Sequence, residues 1–84
     1  MPADARKLND AKGKRYWPRY PAAVWIRIDG AWRPGHVFVQ LRTRDGWAMW
    51  TQYDAEGVPW PAWAMFAYDP QTIRPRDSDT PPAD

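Results

Sequence analysis

The chain has no cysteine. A disulfide framework, a thiolate zinc site and a thiol nucleophile are excluded together. It has one histidine, His36, and one serine, Ser78, which sits among acids near the C-terminus. A lone histidine with no cysteine and no nearby pair of acids lacks a metal set, and it has no serine beside it to activate. His36 therefore reads as a strand-surface residue. Gly13-Lys14 lacks the rest of a phosphate-binding loop. No apolar run approaches the roughly 20 residues of a membrane span, and no apolar stretch follows the N-terminus as in a leader. No internal repeat is visible. These absences lead us to expect a non-enzymatic, cytoplasmic protein without cofactor, metal or membrane contact.

What is present is aromatic and cationic. The 84 residues allow one domain and hold 7 Trp, 4 Tyr and 2 Phe, too many for a wholly disordered chain. The net charge of +2 hides a segregation of signs. Arg6, Lys7, Lys12, Lys14, Arg15 and Arg19 face Asp10 alone between residues 6 and 20. Residues 22–76 are nearly neutral and use only Arg as cation, while Asp77, Asp79 and Asp84 make the end acidic. Arginine binds flat partners and stacks on aromatic rings, so an Arg-only body rich in Trp suits an interaction surface.

Residues 1–14 carry only Met1 and Leu8 as large apolar groups and are expected to stay flexible. A short helix near residues 3–11 is the alternative. Tyr16-Trp17-Pro18-Arg19-Tyr20-Pro21 is held extended by its prolines. Val24, Ile26 and Ile28 then alternate with Trp25 and Arg27, the period of a strand, and Asp29-Gly30 signals a hairpin. The second run, residues 31–42, sets Val37, Val39 and Leu41 on one face against His36, Phe38 and Gln40, with a bulge or sharp bend expected at Pro34-Gly35. After a turn at Thr43-Arg44-Asp45-Gly46, the third run alternates Trp47, Met49, Thr51 and Tyr53 against Ala48, Trp50 and Gln52. Pro59 and Pro61 make the start of a fourth run irregular, leaving residues 62–67 to pair, with a short helix there as the alternative. Asp69-Pro70-Gln71-Thr72 reads as a tight turn before a last strand, Ile73-Arg74-Pro75. Five short strands in so small a body are best satisfied by one strongly bent sheet closing on itself, which removes exposed edges.

The run Val24-Trp25-Ile26-Arg27-Ile28-Asp29-Gly30-Ala31-Trp32-Arg33-Pro34-Gly35-His36-Val37 resembles the opening of Tudor-type SH3-like barrels. Trp47-Ala48-Met49-Trp50-Thr51-Gln52-Tyr53-Asp54 resembles their third strand, which ends in two aromatics three apart, and Ile73-Arg74-Pro75-Arg76 resembles their closing strand. The resemblance covers residues 22–76 and implies an all-β, five-stranded SH3-like barrel. With the aromatic-proline stretch the domain is read as residues 16–76, between a basic arm at 1–15 and an acidic tail at 77–84 whose compositions point to flexibility and disorder. It places Trp50 and Tyr53 at two positions of a methyl-ligand cage, with Ile26, Arg33 and Ala55 at the other three.

The leading expectation for function is nucleic-acid binding of low sequence specificity. Lys12, Lys14, Arg15 and Arg19 would neutralise phosphates, joined by Arg27, Arg33, Arg42 and Arg44 on the body. Trp25, Trp50, Tyr53 and Trp60 would form an aromatic face on which bases stack. The alternative partner is a peptide, proline-rich or methylated segment held on the same aromatic face.

Overall fold

The structure, a computed structural model, describes residues 3–19 and 21–83. Met1, Tyr20 and Asp84, which entered the reading above as an apolar group, an arm aromatic and a tail acid, lie outside the described residues. Among the described residues there is no helix, and six strands form one antiparallel sheet. They are β1 (Lys14–Tyr16), β2 (Ala22–Ile28), β3 (Ala31–Thr43), β4 (Gly46–Tyr53), β5 (Ala62–Ala67) and β6 (Ile73–Pro75).

The two tight hairpins follow directly from turn chemistry. Asp29 and Gly30 both take positive φ, 52° and 78°, and join Ile28 to its partner Ala31 through a two-residue loop. Positive φ at both central positions matches the right-handed twist of the flanking strands, which is why Asp-Gly is favoured there. Arg44 and Asp45 make the second two-residue loop. It is closed by Thr43, whose Oγ1 donates to the Gly46 carbonyl at 2.7 Å and accepts from the Asp45 N–H. Before β6, the Asp69 carbonyl accepts from the N–H of both Thr72 and Ile73, and its carboxylate accepts from Gln71 N–H, giving the expected tight turn.

The strand order is β5-β4-β3-β2-β6, with β1 lying beside the far half of β3. This path is open. Among the described residues no ladder joins β5 to β6, so the sheet is not the closed barrel expected. The gap is spanned instead by residues 5–8. Ala5 N–H donates to Arg27 O at 2.8 Å, Ala67 N–H donates to Arg6 O at 2.9 Å, and Leu8 N–H donates to Met65 O at 2.8 Å. Segments at 5–8 and 14–16 thus lie hydrogen-bonded against the sheet, where unpaired chain was expected. The reason is that β2 and β5 leave backbone groups open on facing edges, and unpaired strand edges are costly. Leu8 adds apolar contact with the Val39, Leu41 and Ala48 cluster.

β3 corrects the sequence reading at its middle. Pro34 and Gly35 pair in register with Trp25 and Val24, without a bulge. Pro34 has no N–H to lose from the ladder, and its carbonyl accepts from Asp54 N–H at 3.2 Å. The irregularity falls at Phe38, between the pairs Val37↔Thr51 and Val39↔Trp50. One extra residue reverses the facing of everything after it. Val37 therefore joins Val24, Ile26, Met49, Tyr53, Phe66 and Ile73 in the inner core. Val39 and Leu41 join Ala48 on the opposite face, packed by Leu8, Ala11, Phe38, Trp50 and Met65. All three residues are buried, but in two clusters rather than one.

Candidate ligand-binding surface

β1 alternates its side chains across the sheet. Lys14 is paired with Arg42, and Tyr16 meets Trp47 edge-on with ring centroids 5.3 Å apart. Lys14 Nζ lies 5.4 Å from the Tyr16 ring and the Arg42 guanidinium 5.3 Å from the Trp47 ring, so this side is a ladder of cations and aromatics. Arg15, one residue on, belongs to the other side. It lines a groove of about 270 Å³ with Ala11, Trp17, Val39, Leu41, Trp50 and Met65.

The floor of that groove is held by a ring cluster. Trp50 stacks on Trp63 at 5.8 Å with 24° between planes, and Trp63 packs on Phe38 at 4.8 Å. Trp63 is opposite Gln52 in the β4–β5 ladder, diagonal to Trp50, and the Phe38 bulge supplies the third ring. Trp17 on the rim is 69% exposed.

Lys12, Lys14, Arg15, Arg42 and Arg44 are all exposed and cluster around β1 and the β3–β4 hairpin. Among the described residues none of the five stands in an ion pair. Lys12 and Arg44 share a second cavity, also about 270 Å³, with Arg6, Asp10 and Asp45. Arg19 is exposed as well.

Four of the expected contact residues sit elsewhere. Arg27 is buried: its guanidinium donates to Gly30 O at 3.2 Å, lies 3.9 Å from the Asp4 carboxylate and covers Trp32. Arg33 is committed to Glu56 at 2.9 Å. Trp25 does point away from Ile26, but the chain beyond β6 roofs it. Arg76 N–H bonds Ala23 O, and its guanidinium lies over the Trp25 ring at 5.8 Å. The same guanidinium donates to His36 Nε2 at 3.2 Å, which leaves His36 half-buried on the outer face. Tyr53 is buried in the inner core, edge-on to Phe66 at 5.6 Å. Trp50 and Tyr53, three apart on one strand, consequently face opposite sides of β4 and do not share a cage. Trp60 is 65% exposed in the loop between β4 and β5.

A cavity of about 520 Å³ opens at the mouth of the inner core, lined by Lys7, Asp29, Arg33, Asp54, Ala55 and Glu56 above Tyr53 and Phe66. Its rim charges are mixed and partly paired. Among the described residues, no group of three or more His, Cys, Asp or Glu could hold a metal ion, and no helix is long and apolar enough to cross a membrane.

Phe38 and Met65 were missed as surface-forming residues; for Phe38 the sequence carries no signal, because its meeting with Trp63 depends on the bulge. Comparison with known proteins gives no match to any family model, curated protein or solved structure.

Proposed function

We propose that this protein is a non-enzymatic binding module that holds nucleic acid with low sequence specificity. The observation that carries the reading is the set of five exposed cations, Lys12, Lys14, Arg15, Arg42 and Arg44, outside any ion pair among the described residues and interleaved with exposed Tyr16 and Trp17. Cations so placed neutralise phosphates and release counterions, which binds any sequence. The scaffold is read as SH3-like: β2 to β5 form a meander and the last strand returns to pair with β2, which supports that reading.

The test is binding to a random-sequence duplex and to a single strand across a salt series. Log affinity should fall steeply with log salt. Replacing Lys12, Lys14 and Arg15 by Ala should reduce the slope by about 2–3, at up to ~0.9 per lost duplex phosphate contact. The loss should be alike for unrelated sequences. Absence of binding at low salt refutes the proposal.

A further inference from the structure

We infer that the groove beside β1 is a stacking pocket for one unpaired nucleobase, so that the protein prefers single-stranded nucleic acid to duplex. This rests on the nucleic-acid reading above and adds the strand state to it. Three observations carry it.

The first is the lining. The groove is walled by Trp17 and floored by Trp50, with Val39, Leu41 and Met65 between. Among the described residues its lining offers two indole rings and no acid. Indole faces stack on any base, which gives affinity without sequence choice.

The second is size. The groove holds about 270 Å³. A cavity of ~150 Å³ already accepts a benzene ring, so a base fits. A base pair inside a duplex presents only its edge, with both faces already stacked, and cannot enter.

The third is charge complementarity. Among the described residues Arg15 is the one charged residue lining the groove, and Lys12 lies three residues before it on the same short segment. A strand whose base enters the groove places its flanking phosphates along these cations. A neutral proline-rich segment would fill the rings but leave the cations unused.

The experiment measures fluorescence anisotropy of a labelled 12-nucleotide DNA, single-stranded and as a blunt duplex, with the full chain at low salt. Trp17→Ala should weaken single-strand binding about five-fold or more, the effect of losing one stacked base. It should change duplex binding less than two-fold and leave the salt slope unaltered. Trp17→Phe should restore most of the loss. Trp17 is largely exposed, so folding is not at stake. If Trp17→Ala leaves the single strand unaffected, or weakens both forms equally, the pocket is refuted while nucleic-acid binding stands. If neither form binds, the underlying reading fails. If only a proline-rich peptide binds, and binding depends on Trp17, the groove takes peptides and the inference is overturned.

Discussion

Ile26 has no exposed surface and touches the inner cluster formed with Val24, Val37, Phe66 and Ile73. Ile26→Asp or Val37→Asp would bury a carboxylate there at a cost of several kcal/mol; the cation opposite Ile26, Arg33, is already paired with Glu56. That cost is comparable to the whole stability of a domain this small. Both variants should lose the cooperative thermal transition and native tryptophan fluorescence; retention of either would mean the core is assigned to the wrong face. Gly35 is a different constraint. A Cβ there would come within 2.6 Å of the Gln52 carbonyl oxygen, which is ladder backbone and cannot swing aside. Gly35→Ala should therefore lower the melting temperature, although Gly to Ala in a relaxed strand is usually favourable. The arginines divide by the same local logic. Those near rings or acids of the body, Arg27, Arg33 and Arg76, serve the fold, and Arg15 and Arg44 are left to solvent.

The elements that complete the sheet are its least regular ones. Residues 4–8 make three backbone bonds across the gap between β2 and β5, and the Asp4 carboxylate accepts from Gly30 N–H at 3.0 Å on the β2–β3 turn. Deleting residues 1–8 removes these bonds and the cover that Leu8 gives the outer cluster. At ~0.5–1.5 kcal/mol net per hydrogen bond, the cost of losing these four is about 2–6 kcal/mol. The melting temperature should fall by about 10 °C or more, measured by circular dichroism. An unchanged transition would show that the strap is not held in solution. β1 depends on one small residue. A Cβ at Gly13 would overlap the Arg42 carbonyl, so Gly13→Ala should lift β1 from β3. That variant should weaken ligand binding more than it lowers stability, because β1 carries Lys14, Arg15 and Tyr16 but little of the core.

Along the whole chain the charges are segregated: six cations fall between residues 6 and 19, and residues 77–84 hold three of the ten acids and no cation. Removing residues 77–84 raises the net charge from +2 to +5. The summed field steers a polyanion toward the cationic end, and an acidic tail opposes it. The shortened protein should associate faster with a single-stranded oligonucleotide at low salt, by stopped-flow, with little change in melting temperature. An equal association rate would separate the tail from ligand capture.

The positions of β2 to β6, both tight hairpins and the turn before β6 were legible in the sequence, because period-two alternation, Asp-Gly and Asp-Pro-Gln-Thr act within a few residues of one another. So was the charge segregation. The division of Val37, Val39 and Leu41 between two clusters was not, since an unbroken alternation carries no mark of where the partner strand slips by one residue at Phe38. The candidate binding surface was half legible. Lys12, Lys14, Arg15, Arg42 and Arg44 are exposed as expected, but Trp25, Tyr53 and Arg27 are buried and Arg33 is paired with Glu56. Periodicity tells which side of a strand a residue takes. Whether that side meets water depends on what the rest of the chain lays over it, here Arg76 on Trp25 and residues 5–8 along β5. Those are contacts between residues some fifty apart or more, and only the assembled sheet brings them together.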